Sequence, residues 1–210
     1  MKKAAFVIFL VLLIDQLSKI YVKTHFSLDE HINILGLDWA RIHFTENKGA
    51  AWGIQLNDFI TFLSETQAKI FLTLFRILAI SGIGYWLYLS VKQNASKIII
   101  VAISMIFAGA IGNIIDSVFY GVLFEESSRL THNIAGFVSN GNGYSSFFHG
   151  RVVDMLYFRM WSGTLPEWIP IWGGKYFTFF NAIFNVADFA ISVGVGLLIL
   201  FNKHAFPNKD

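Results

Sequence analysis

Cysteine is missing from all 210 residues. That single absence excludes disulfides, thiolate metal sites, a cysteine nucleophile and lipidation of a cysteine of the chain itself. Charge is scarce as well: Asp, Glu, Lys and Arg make up 14% of the chain, against about 25% in soluble domains. With 55% hydrophobic residues and a mean hydropathy of +0.55, the deficit points to lipid as the solvent. The net charge of +2 comes without any basic run, so nucleic acid is not an expected partner. The six histidines never stand at HExxH spacing, and no GxSxG elbow occurs. Zinc hydrolysis and serine-triad chemistry therefore lack their signatures. Ser18 and Lys19 are neighbours on a predicted helix, point about 100° apart, and cannot form a dyad. No internal repeat is visible.

What is present is apolar length. Four windows meet the roughly 20 residues a transmembrane helix needs: about 4–22, 70–90, 98–120 and 179–201. The expected fold is an α-helical membrane protein, a single integral-membrane domain over 1–210 with four transmembrane helices. Lys2 and Lys3 precede the first window, Lys92 and Lys97 flank the tight connection after the second, and Lys203 and Lys209 follow the fourth. Lysine in short loops marks the cytoplasmic side, so both termini are expected there. The first window resembles a secretory signal, but no small-x-small cleavage site follows it, and it reads as a retained helix.

The long connections, about 23–69 and 121–178, then lie outside. "DWARIHFTEN" alternates, with Ile42 and Phe44 on one face, and "RVVDMLYF" is a second strand candidate. A small extracytoplasmic β-structured domain is expected from them. "DFITFLSETQAKI" has the spacing of an amphipathic helix lying on the membrane surface. "MWSGTLPEWIPIW" reads as an interfacial aromatic anchor and "SNGNGYSS" as a flexible outer loop.

Polar residues interrupt the apolar windows. Asn181, Asn185, Asp188 and Ser192 form one stripe on the fourth predicted helix. Gly109, Gly112, Asn113, Asp116 and Tyr120 form another on the third. Asp15 and Lys19 stand four apart on the first and can pair, and the second carries Arg76. At 1.5 Å per residue, Asp15, Asp116 and Asp188 all fall within roughly 15 Å of the outer surface. Gly109 and Gly112 read as helix-packing positions, and Asp15–Lys19 as a structural pair. Asp188 has no basic residue within one turn on its own helix, which makes it a functional candidate. Two aspartates at one level can hydrolyse an amide, one as base toward water and the other, protonated, polarising the carbonyl. This chemistry needs neither metal nor cofactor, and none is expected. A rival reading is a small transporter or proton-conducting protein, which would spread polar groups through the full membrane thickness.

Five segments in order, "DQLSK", "ENKGAAWG", "GAIGNIID", "VVDMLYF" and "FNVADFAISVG", resemble the motifs of the signal peptidase II (lipoprotein signal peptidase) family. The resemblance implies an aspartic endopeptidase of the bacterial inner membrane, with its site near the outer face. It would remove the signal peptide from diacylglyceryl-modified prolipoproteins just before the lipidated cysteine. Its partners would be lipidated prolipoprotein, membrane lipid and cyclic-peptide inhibitors of the globomycin type. By motif position the catalytic aspartates would be Asp154 and Asp188. Asp15, Lys19, Asn47, Gly49, Asn113, Asp116 and Asn185 would support the site or bind substrate. Two departures stand out. Ser117 occupies the place where the family commonly has arginine, so any charge contact that arginine makes is either absent or supplied by Arg151, Arg76 or Lys19. About thirty residues, roughly 122–151, also intervene before "VVD" and are expected to enlarge the outer domain as a flap.

Overall fold

The computed structural model describes residues 1–47, 64–129, 131–139 and 141–201. Four helices carry the architecture: α1 (Lys2–His25), α2 (Glu65–Lys92), α3 (Lys97–Ile115) and α4 (Val186–Leu200). Among the described residues, three stretches, Lys2–His25, Thr66–Lys92 and Lys97–Leu123, are long and apolar enough to cross a membrane. Phe6, Phe9, Leu17, Phe71, Phe75 and Leu78 project outward from these helices, as side chains facing hydrocarbon would. α2 starts at a capping box: Ser64 Oγ accepts from the Gln67 backbone N–H, and Gln67 Oε1 accepts from that of Ser64. Ser96 caps α3 in the same way, accepting from the Ile99 N–H.

Past Ile115, α3 continues as a π-helical turn, Asp116–Tyr120, and a short α-helical end, Gly121–Leu123. The sheet is antiparallel, in the order β1 (His31–Asn33), β2 (Ala40–Asn47), β3 (Val152–Phe158), then β6 (Ile183–Phe184). A hairpin of β4 (Trp161–Thr164) and β5 (Tyr176–Phe179) stands apart from it. The two strand candidates of the sequence are β2 and β3. Their register shifts between Ile42 and Thr45, and beyond the shift Thr45 lies opposite Asp154 and Asn47 opposite Val152. One core joins the end of α1 to the π turn and the sheet: Val22, Phe26, Phe44, Tyr120, Phe124, Val153 and Met155. A second, formed by Ala4, Leu87, Ile99 and Ile103, closes the opposite end of the bundle.

Several expectations change here. The fourth helix begins at Val186, not near residue 179. Residues 176–179 and 183–184 are strand, and Asn185 stops the helix from extending backward by serving as its N-cap. Asn181 therefore leaves the helical stripe; its side chain instead accepts from the Tyr157 hydroxyl at 2.8 Å. Within the predicted surface helix, residues 58–63 lie outside the described residues, and from Glu65 onward the segment forms the first turns of α2. The described return path of the 122–151 insertion, with Ser145 of the "SNGNGYSS" loop, packs down onto the end of α3. The N–H groups of Ser145, Phe148 and Gly150 donate to Gly121 O at 2.8 Å, Val118 O at 3.1 Å and Ser117 O at 2.9 Å. The π turn leaves carbonyls free to accept these bonds, so the insertion is pinned to the fold along its return path.

Candidate active site

Asp154 sits mid-strand on β3 and is 5% exposed. Asp188 is the third residue of α4, partly exposed, at the positive end of the helix. Asn185 joins them. Its Nδ2 donates to Asp154 Oδ1 at 2.7 Å, its backbone N–H donates to Asp188 Oδ2 at 3.3 Å, and its Oδ1 accepts from the Asp188 N–H at 2.9 Å. Asn185 and Asp188 thus form a reciprocal capping box. Asn113 completes the ring: its Nδ2 donates to Asp188 Oδ1 at 2.8 Å, and its Oδ1 faces Asn185 Nδ2 at 3.1 Å.

Beneath this ring, Lys19 is fully buried and meets Asp15 and Asp116 at 2.9 Å each and Asn113 Oδ1 at 3.0 Å. Each of its carboxylate partners reaches a backbone N–H beside a site aspartate. Asp15 Oδ1 accepts from Ala187 at 2.8 Å, one residue before Asp188. Asp116 Oδ2 accepts from Val153 at 3.2 Å, one residue before Asp154. The Asp15–Lys19 pair is therefore two members of a three-residue brace, completed by Asp116, that fixes both site elements. Gly112 makes room for it: a Cβ there would lie 2.5 Å from Asp15 Oδ2. Gly109 similarly lets the α3 backbone approach the Ala187 carbonyl.

Asn47 bonds to Asp154 through its side chain. Gly49 lies outside the described residues. Arg76 on α2 interacts electrostatically with Asp188. Of the three basic residues considered in place of the missing arginine, Lys19 answers Asp116, next to Ser117, while Arg151 turns to Glu46 and Glu126. Sequence reasoning missed Gln16, whose Nε2 donates to Asp15 at 3.0 Å and Asp116 at 3.1 Å while its Oε1 accepts from the Tyr120 hydroxyl at 3.2 Å. Nothing in a lone Gln beside an Asp signals contacts a hundred residues away.

Burial pushes the Asp154 carboxyl up to about 7, and the neighbouring Asp188 charge adds to the rise against bonds from Asn185 and Asn47 and the charge of Lys19. Asp154 can therefore keep its proton near neutrality beside a second carboxyl group. The arrangement can thus supply an acid and a base together.

Comparison with known proteins bears on the family and the fold. The sequence model described as Signal peptidase (SPase) II matches residues 7–202. A lipoprotein signal peptidase of Porphyromonas gingivalis is 43% identical over 203 residues, covering 95% of this chain and 82% of that protein. One from Amoebophilus asiaticus is 37% identical over 194 residues, covering 91% and 73%. A bacterial membrane enzyme solved by the in meso method shares the fold, with a TM-score of 0.57 at 23% identity, covering 95% of this chain and 92% of that one. With five ordered motifs, a family match across nearly the whole length and relatives of this similarity, the chain belongs to the signal peptidase II family.

Proposed function

We propose that this chain is an aspartic endopeptidase that cuts the signal peptide from diacylglyceryl-modified prolipoproteins just before the lipidated cysteine, using Asp154 and Asp188. Its relatives are lipoprotein signal peptidases, and aspartic chemistry follows from the family. The observation that carries the residue assignment is Asn185, one side chain and backbone bonded to both carboxyl groups. The transporter reading is set aside by the family.

Asp154, raised to about 7, starts as the proton holder, and Asp188, at the helix N-terminus, starts as the carboxylate. Asp188 takes a proton from water while the water oxygen bonds to the scissile carbonyl carbon. Asp154 gives its proton to the carbonyl oxygen, and a gem-diol results. The C–N bond then breaks as Asp188 returns its proton to the leaving nitrogen and Asp154 recovers one from a gem-diol hydroxyl. A carboxylic acid and an amine leave, and both aspartates are restored.

The wider setting supports the same reading. The C-terminal ends of α1 and α3 and the N-terminus of α4 meet the sheet at the end of Asp154 and Asp188, and the lysine-flanked α2–α3 connection lies at the opposite end of α3. This favours four spans within a single domain over 1–210, cytoplasmic termini, and a site near the outer face of the inner membrane, open sideways to lipidated substrate and to globomycin-type peptides. α4, at 15 residues, is about 22 Å long and serves as the fourth span with its N-terminus at sheet level.

A gel-shift cleavage assay on lipidated precursor tests the assignment. Asp154→Asn and Asp188→Asn each lose at least roughly a thousandfold in turnover, while both proteins still insert into membrane. Retained turnover in either variant defeats it.

A further inference from the structure

Outside the aspartate network lies a second buried ionic cluster, and the mechanism leaves it unused. Glu46, on β2, is 2% exposed at its side chain, and both of its oxygens are engaged. Oε1 accepts from Lys23 Nζ and, at 3.2 Å, from Ser127 Oγ. Oε2 accepts from Arg151 Nη1 at 3.0 Å. The other arm of Arg151 reaches Glu126 at 3.0 Å, and the Arg151 backbone N–H donates to the Tyr144 hydroxyl at 2.6 Å. Lys23 is fully buried and lies 5.0 Å from the Tyr144 ring centroid and 5.5 Å from that of Phe124. Ser127, Glu126, Tyr144 and Arg151 all come from the insertion or its last residue; Lys23 comes from the end of α1.

Strand geometry ties this cluster to the catalytic pair. Successive side chains on β2 point to opposite faces. Glu46 lies opposite Val153 and faces the core, so the next residue, Asn47, opposite Val152, faces the Asp154 side. Glu46 is thus the last core-anchored residue before the one that bonds Asp154. A buried carboxylate held by two cations cannot shift without leaving a charge unpaired. We infer that the insertion serves catalysis as a latch: Lys23, Arg151, Ser127 and Tyr144 grip Glu46, which positions Asn47 against Asp154. Glu46 is a positioning residue, not a catalytic one, and the latch acts through Asn47 alone.

The kinetic readout rests on the peptidase reading, so a second readout independent of turnover is needed. The groups facing Asp154 are Asp188 and Asn185 at the start of α4, Lys19 on α1 and Asn47 on β2. Of these, only Asn47 is gripped by the latch. Glu46→Gln and Lys23→Met are compared with wild type and Asn47→Ala in two ways. One is the pH profile of kcat on lipidated precursor; the other is the carboxyl titration of Asp154 by infrared difference spectroscopy, with Asp154→Asn as the blank. The latch predicts kcat lowered roughly ten- to a hundredfold, with KM within about threefold. It also predicts an Asp154 titration moved to higher pH, as in Asn47→Ala, and no further movement in Glu46→Gln/Asn47→Ala. A Glu46→Gln protein that melts earlier but titrates Asp154 as wild type does overturns the inference. If Glu46→Gln does not fold, Arg151→Lys, which keeps the charge but loses the fork, must move the titration in the same direction; an unmoved titration refutes the latch. Failure of wild type to cleave would reject the peptidase reading while leaving the infrared result to judge the latch.

Discussion

At the residue scale, Asp154 is expected to give stability a pH dependence and, in the proposed mechanism, activity as well. Its folded-state value of about 7 lies above the ordinary 3.8 because burial and the Asp188 charge disfavour ionisation. Between pH about 4 and about 7 the folded protein keeps a proton that the unfolded chain has released. The stability this proton contributes is present in acid and lost as pH rises through that window. kcat, if Asp154 acts as the acid, falls tenfold per pH unit above about 7. Asp154→Asn removes the ionisation altogether and is expected to melt roughly 4 °C or more above wild type at pH 8 in detergent, although inactive. A variant melting at or below wild type at pH 8 would show that the burial strain on Asp154 is relieved elsewhere. Much at this scale was legible: Asp188 stood out as an unpaired carboxylate in an apolar run, and the motif resemblance supplied Asp154. Glu46 and Gln16 were not legible, because the partners that give them meaning are some eighty to a hundred residues away in sequence.

At the element scale, α3 and α4 pack on glycine. A Cβ at Gly109 would collide with the Ala187 carbonyl at the level of the aspartates. One at Gly194 would lie 2.6 Å from the Ala102 carbonyl, two turns deeper. Gly109→Ala and Gly194→Ala should each destabilise by about 1–3 kcal/mol. Only the first displaces the α4 N-terminus, so only Gly109→Ala should lose more than about tenfold in kcat when both are assayed well below their melting temperatures. Equal losses would mean that the helices move as one body. The start of α4 is where hydropathy misled. "FFNAIF", residues 179–184, is as apolar as a helix interior, and a short apolar run does not distinguish strand from helix. The decisive signal was the spacing Asn185–Asp188, an N-cap and its third residue.

At the scale of the whole molecule, the proposed topology can be read with a chemical reporter, because a chain without cysteine has no background thiol. Gln93→Cys, at the exposed end of α2, and Glu167→Cys, exposed between β4 and β5, should lie on opposite sides of the membrane. In intact spheroplasts a membrane-impermeant maleimide should label the second at least about tenfold faster than the first, and disruption should abolish the difference. Reversed labelling would invert the orientation. Apolar length and lysine placement made this level readable from sequence, since both are properties of the chain relative to lipid. How the insertion folds back was not readable, because it depends on carbonyls exposed by the π turn.

Because one asparagine grips both acids, the gap between them is not a free parameter of the protein. Bilayer undulations that tilt α4 against the sheet must carry the pair together, as two hands on one rail. Selection, likewise, cannot tune the reach of either acid alone; it must change the rail.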